Sequence, residues 1–240
     1  MASIRASILN IYFRVMEPLI GFLARRRVSP NVLTTVGTVC TCAAGLLFAA
    51  GHIRAAAWLL VFTAPLDDAD GNVARRTNRS TTFGAFYDST LDRIADGFLF
   101  GGLTYFFASD PWHRSMPMVA VGLLGMIATF AVSYARSRAE TLGVEMKGVG
   151  LMERAERMVL LVAPQALFGL ALDGLVLRLT FSLLAASAIV TAGQRILHVY
   201  VMTRPPHAPP AADAKPAAGP MVEPAVDAGD TSPRFPTHAP

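Results

Sequence analysis

The chain has 240 residues, of which 53% are hydrophobic and only 16% are charged, with a formal net charge of +4. Its mean hydropathy is +0.44. The chain therefore has more hydrophobic residues than one soluble domain of this length can bury, which argues against a water-soluble enzyme. The arginines lie in short clusters between apolar runs and form no continuous basic face, so a nucleic-acid partner is not expected. This pattern is typical of a polytopic membrane protein.

The first segment of the chain has the pattern of a helix that lies in the membrane surface. Between residues 4 and 23, apolar side chains recur at helical spacing, with Arg5, Asn10, Arg14 and Glu17 between them. No small-residue cleavage site follows a clean apolar core, so a removed signal peptide is not expected. We therefore predict an amphipathic interfacial helix within residues 1–29.

Six apolar segments follow and predict an all-α fold with six transmembrane helices in residues 30–204. A helix needs about 20 apolar residues to cross a bilayer. The first and fourth segments meet this length unaided, whereas the second and third do so only if neighbouring aspartates lie inside the helices. The fifth and sixth are predicted to join abruptly at residues 177–178. The six segments are residues 31–53, 55–66, 94–109, 116–135, 158–177 and 179–194.

The positive charges of the loops indicate how these helices are oriented. Most arginines fall on one side of the predicted membrane, which places both termini in the cytoplasm of a multi-pass cell-membrane protein. Residues 205–240 hold ten prolines and nine alanines, a composition that cannot build a core. We predict that this segment is a disordered cytoplasmic tail.

Four aspartates carry the main chemical signal of the sequence. Asp67 and Asp70 are three residues apart, and Asp88 and Asp92 are four apart, so each pair shares one helix face. For any single aspartate, a solvated helix end is the alternative interpretation. Four carboxylates brought together at a membrane repel one another unless they surround cations. Oxygen-only ligands favour magnesium, then manganese or calcium.

The spacing of these residues resembles the signature of the CDP-alcohol phosphotransferase family. The matching pattern is Asp67-x2-Asp70-Gly71-x2-Ala74-Arg75-x8-Gly84-x3-Asp88-x3-Asp92. The resemblance implies an enzyme, a CDP-alcohol phosphatidyltransferase, with six transmembrane helices, an N-terminal interfacial helix and a homodimeric assembly. It covers residues 4–203 and leaves the tail out.

The resemblance also implies a reaction and its site. A site for two magnesium ions, which manganese could replace, would be bridged by Asp67 and Asp88 and completed by Asp70 and Asp92. Asp92 would act as the general base on an acceptor hydroxyl, which attacks the β-phosphorus of CDP-diacylglycerol and releases CMP. The positions that resemble the family's CDP-lipid contacts are Asn31, Val32, Leu33, Thr34, Gly71, Ala74, Arg75, Thr81 and Gly84. For the segment at residues 30–34, the alternative is a plain helix start capped by Asn31.

Three further arginines bear on the acceptor. Arg136, Arg154 and Arg195 are the basic positions that resemble actinobacterial phosphatidylinositol phosphate synthases, although that subgroup commonly has lysine at the position of Arg136. The resemblance implies inositol 1-phosphate as the acceptor. Arginine suits such an acceptor, since its guanidinium group binds phosphate by paired hydrogen bonds. Glycerol 3-phosphate, the acceptor of a phosphatidylglycerophosphate synthase, has the same electrostatic requirement. A simpler alternative makes these arginines topology determinants paired with glutamates or lipid headgroups.

Two other classes of membrane protein also use clustered aspartates. An intramembrane prenyltransferase would need an aspartate where Gly71 stands, and it leaves Gly84, Asp88 and Asp92 unexplained. A cation transporter uses acidic residues at helix breaks near the membrane midplane, usually within inverted repeats. Here the aspartates border the basic pair at residues 75–76, and no repeat is visible.

Overall fold

The computed structural model of the protein describes residues 29–63, 81–152 and 154–204. Within these ranges it contains six helices and no strand, which confirms the all-α class. The helices are α1 (Pro30–Ala49), α2 (Ile53–Thr63), α3 (Thr82–Ser109), α4 (Met116–Thr141), α5 (Arg154–Phe168) and α6 (Leu175–Thr203). The expected interfacial helix of residues 1–29, except for residue 29 itself, and the expected tail of residues 205–240 lie outside the described residues.

Three of the helices, α1, α4 and α6, are long and apolar enough to cross a membrane. Helix α3 is also long, with 28 residues, but its first half carries several charged side chains. Its start at Thr82 confirms that Asp88 and Asp92 lie inside the helix, which was the condition for the third predicted segment to be long enough. Helices α2 and α5 are shorter, with 11 residues described for α2 and 15 for α5.

The predicted junction between the fifth and sixth segments is wrong. The chain turns at residues 169–174, and Arg178 lies inside α6. Gly169 and Gly174 have φ of 55° and 67°, a left-handed conformation that costs glycine little. Leu170 and Leu172 keep the turn apolar, so hydropathy gives no sign of a break there.

The helices approach one another through small residues. A Cβ atom added to Gly102 of α3 would lie 2.0 Å from the carbonyl oxygen of Gly45 in α1, so the two backbones are in direct contact. At Gly125 of α4, a Cβ atom would lie 2.8 Å from the Cβ of Ala185 in α6. Close backbone approach at small residues is the usual way in which membrane helices associate.

Aromatic side chains fill the centre between these helices. Phe48, Phe106, Phe107 and Phe181 are fully buried. The rings of Phe107 and Phe181 stack with their centroids 5.9 Å apart, which joins α3 to α6. This packing sets the rotation of α3 about its axis, and so the direction in which its charged residues point.

Candidate active site

One face of α3 carries a row of three carboxylates. Asp88, Asp92 and Asp96 follow one another at intervals of four residues, about one helical turn each. Asp88 is exposed, Asp92 is half-buried and Asp96 is only 7% exposed, so the row runs from solvent into the protein. The predicted shared face of Asp88 and Asp92 is thus confirmed. Asp67, Asp70, Gly71, Ala74 and Arg75 lie outside the described residues.

The start of α3 is held by a side-chain cap. Thr81 is the N-cap, and its hydroxyl oxygen accepts a hydrogen bond of 2.9 Å from the backbone N–H of Gly84. A Cβ atom at Gly84 would lie 3.1 Å from this oxygen and 3.4 Å from the amide oxygen of Asn31 in α1. The structure therefore brings Asn31, Thr81 and Gly84 together, as three of the predicted CDP-lipid contacts.

The other predicted contacts in α1 differ in exposure. Helix α1 begins at Pro30 with Ser29 as its N-cap, so the alternative of Asn31 as the cap is wrong. Val32 is 52% exposed, whereas Leu33 and Thr34 are buried. The hydroxyl of Thr34 donates to the carbonyl oxygen of Pro30 at 3.1 Å. These two side chains are therefore buried at the start of α1, and Val32 is the exposed one of the three.

A hydroxyl pair that the sequence did not indicate joins the same two helices. The hydroxyl groups of Thr35 in α1 and Tyr87 in α3 are 2.9 Å apart. Tyr87 directly precedes Asp88, so this contact fixes the position of the exposed end of the carboxylate row.

Arg154 crosses from the start of α5 to the carboxylates of α3. Its Nη1 donates to Oδ1 of Asp92, and its Nε lies 3.6 Å from Oδ1 of Asp96. Arg93 lies on the other side, with Nη2 3.6 Å from Oδ2 of both aspartates. Arg157 lines the same small cavity as Asp96 and Arg154. The sequence predicted a role for Arg154, but assigned none to Arg93 or Asp96, although the latter continues the four-residue spacing.

The other two predicted acceptor arginines have different surroundings. Arg195 of α6 donates to the carbonyl oxygens of Val132 at 2.7 Å and Val149 at 3.1 Å, and thereby ties α4 and the following loop to α6. Arg136 forms an exposed ion pair of 3.0 Å with Glu140 on the same helix, as the topology alternative predicted. Arg195 is thus half-buried and bonded to backbone carbonyl groups, whereas Arg136 is exposed.

The loop between α4 and α5 brings Arg154 to the carboxylates of α3. Gly143, Gly148 and Gly150 have positive φ, which lets the chain turn sharply. The backbone N–H of Leu151 donates to the hydroxyl of Thr191 in α6 at 3.2 Å. The loop is thus fastened to α6 just before α5 begins.

Two of the four predicted cation ligands, Asp88 and Asp92, lie among the described residues. No group of three metal-binding side chains occurs among residues 29–63, 81–152 and 154–204. On α3, Asp88 and Asp92 repel each other, and Asp92 is balanced by the guanidinium group of Arg154. Carboxylates that repel one another and offer only oxygen donors are suited to magnesium or manganese.

Three of the described helices are long and apolar enough to cross a membrane, and comparison with known proteins identifies the class of this chain. The chain belongs to the CDP-alcohol phosphatidyltransferase family, whose model matches residues 27–200. It is therefore an enzyme of this class. It is 34% identical over 194 residues to the phosphatidylinositol phosphate synthase of Streptomyces avermitilis, covering 78% of this chain and 79% of that protein.

A further relative and two solved structures agree with this assignment. The archaetidylinositol phosphate synthase of Methanothermobacter thermautotrophicus is 36% identical, over 83% of this chain and 98% of that protein. The structure of Mycobacterium tuberculosis phosphatidylinositol phosphate synthase with CDP-DAG bound superimposes with a TM-score of 0.70 at 33% identity, covering 78% of this chain and 94% of that one. The same mycobacterial enzyme with manganese and citrate gives a TM-score of 0.69 at 32% identity, covering 77% and 88%.

Proposed function

We propose that this protein transfers the phosphatidyl group of CDP-diacylglycerol to inositol 1-phosphate and releases CMP. The contact of Arg154 with Asp92 carries the proposal. A phosphate group held by Arg154 would bring the acceptor close to the carboxylate that we assign as the general base. The names of the Streptomyces and Methanothermobacter relatives differ in their lipid part but share inositol phosphate, which supports this acceptor.

The proposed reaction uses Asp92 for proton transfer. Its carboxylate accepts the proton of the acceptor hydroxyl, the hydroxyl oxygen forms a bond to the β-phosphorus, and the bond from that phosphorus to the oxygen of CMP breaks. We assign Arg136, Arg154 and Arg195 to the phosphate of the acceptor, whose hydroxyl they would keep oriented. Asn31, Thr81 and Gly84 would line the side of the site that receives the nucleotide of the donor.

We assign the cation site to Asp67, Asp70, Asp88 and Asp92. Magnesium bound there would neutralise the pyrophosphate of the donor and the charge that develops on the leaving CMP. The relative with manganese and citrate supports a divalent cation in this class. We also propose that the protein crosses the membrane several times with its active site on the cytoplasmic side. The proposal includes assembly as a homodimer.

Removal of divalent cations is expected to abolish CMP release. The carboxylates would repel the pyrophosphate of the donor once no cation is present. CMP release by the purified protein should fall to background in excess chelator and return on addition of magnesium or manganese. Unchanged release in chelator, with metal content checked by elemental analysis, would contradict the cation assignment.

The acceptor is tested by CMP release from CDP-diacylglycerol with inositol 1-phosphate, glycerol 3-phosphate, free inositol and serine in parallel. We expect inositol 1-phosphate to give the highest rate. Because a hydrogen bond to a charged group contributes about 1.5–3 kcal/mol, Arg154→Gln should raise the KM for this acceptor by about tenfold to a hundredfold. The KM for CDP-diacylglycerol should change little.

Arg138→Gln is the matched control for this experiment. Arg138 is exposed on α4, and its Nη1 lies 3.5 Å from the hydroxyl of Thr141 on the same helix. It should leave both KM values unchanged. Highest activity with glycerol 3-phosphate would agree with the reaction class but contradict inositol 1-phosphate as the acceptor. Equal activity with free inositol would contradict the assignment of the arginines to the phosphate of the acceptor.

A further inference from the structure

Asp96 is a buried carboxylate that the reaction proposed above does not use. It lies on α3 one turn beyond Asp92 and is only 7% exposed. A buried carboxylate needs opposite charges close by, because its loss of hydration is otherwise uncompensated. Its presence therefore points to a function within the charged cluster itself.

Two arginines, one from α3 and one from α5, lie within ion-pair distance of this carboxylate. Oδ1 of Asp96 lies 3.6 Å from Nε of Arg154, and Oδ2 lies 3.6 Å from Nη2 of Arg93. Arg157 lines the same small cavity as Asp96 and Arg154. Asp96 thus adds to Asp92 a second negative charge between Arg93 and Arg154.

Arg154 contacts the two aspartates with different atoms. Its Nη1 lies on Asp92, whereas its Nε faces Asp96. If an anion replaced Asp92 at the Nη1 end of Arg154, Asp96 would still face the Nε end. The side chain of Arg154 would then stay extended towards α3. Arg154 is also the first residue of α5, so its side chain reaches α3 from the end of a helix.

We propose that Asp96 is a positioning residue that holds the guanidinium group of Arg154 beside Asp92, ready to receive the phosphate group of the acceptor. This inference rests on the proposed function, since it assigns the phosphate of the acceptor to Arg154. Asp96 itself contacts neither the acceptor nor the cation. Its negative charge offsets the mutual repulsion of Arg93, Arg154 and Arg157.

The test is calorimetric titration of the full-length protein in detergent with inositol 1-phosphate and, separately, with inorganic phosphate. Asp96→Asn removes the charge at nearly constant volume, and we expect it to weaken phosphate binding by about tenfold. Asp96→Glu, which retains the charge, should recover part of this loss. Asp173→Asn is the matched control, because Asp173 lies in the turn between α5 and α6 with an 85% exposed side chain.

A double-mutant cycle separates positioning from a general effect on folding. If Asp96 acts through Arg154, then Asp96→Asn should weaken binding by less than about twofold in a protein that already carries Arg154→Gln. Steady-state kinetics should show a higher KM for the acceptor with little change in kcat. Equal losses in both backgrounds, full binding by Asp96→Asn, or failure of the wild-type protein to bind either phosphate would overturn the inference.

These outcomes are distinct from failure of the proposed function. Phosphate binding that depends on Asp96, without CMP release from inositol 1-phosphate, would retain the positioning role and reject the acceptor. If Asp96→Asn does not fold, Asp96→Glu should still weaken binding of both phosphates, because the longer side chain displaces Arg154. Wild-type affinity of that variant would then count against the inference.

Discussion

Asp92→Asn is expected to lower the rate of CMP release by about a thousandfold at saturating substrates. The asparagine side chain cannot accept the proton of the acceptor hydroxyl, and general-base catalysis contributes about 10²–10⁴-fold to such rates. Arg154 still has Asp96 as an ion-pair partner, so the fold should be retained. The rate is measured with purified protein in lipid vesicles that contain CDP-diacylglycerol.

Asp173→Asn serves again as the control for loss of one carboxylate. It should release CMP at the wild-type rate, since Asp173 lies in the turn between α5 and α6. The unfolding midpoint of Asp92→Asn should stay within a few degrees of the wild type. A rate within tenfold of the wild type would show that Asp92 is not the base.

Gly102→Ala is expected to have the largest effect on stability. The added Cβ atom would lie 2.0 Å from the carbonyl oxygen of Gly45, and neither backbone can move without separating α1 from α3. Overpacking of this kind costs about 1–3 kcal/mol, which corresponds to a midpoint about 2–12 °C lower for a chain of this size. The measurement is thermal unfolding of the purified protein in detergent.

The neighbouring residue provides a matched control on the same helix. A Cβ atom at Gly101 would meet nothing within 4 Å, so Gly101→Ala adds a methyl group without a clash. It should be neutral or slightly stabilising, because alanine favours helix by about 1 kcal/mol relative to glycine. Equal midpoints for the two variants would contradict the close contact of α1 with α3.

The reaction class could be predicted from the sequence because it depends on local spacing. Asp88 and Asp92 share a face in any helix, so their relation follows from a separation of four residues. The family signature spans only residues 67–92, and its recognition needs no knowledge of how the helices pack. The expected site at Asp88, Asp92, Thr81 and Gly84 follows from the same short segment.

The inward faces of the helices could not be predicted in this way. In α1 the large residues Val36, Val39 and Leu46 are exposed, whereas Gly37 and Thr41 are buried. A membrane solvates apolar side chains, so the usual rule that the apolar face turns inward does not apply. The burial of Leu33 and Thr34, both expected to contact the donor, depends on this packing.

The charged cluster shows a second limit of sequence analysis. Asp92 and Arg154 are separated by 62 residues and meet only because the loop after α4 is tied to α6. No local pattern indicates this contact. Arg93 and Asp96 are a local pair three residues apart on α3, and they join Arg154 only because α5 lies beside them.

A competition experiment tests the central claim most directly. The purified protein is given CDP-diacylglycerol, magnesium and equal concentrations of inositol 1-phosphate and glycerol 3-phosphate, and the lipid products are identified by mass spectrometry. We predict phosphatidylinositol phosphate as the main product, together with an equal amount of CMP. A main product of phosphatidylglycerophosphate, or CMP release without a new lipid, would contradict the account.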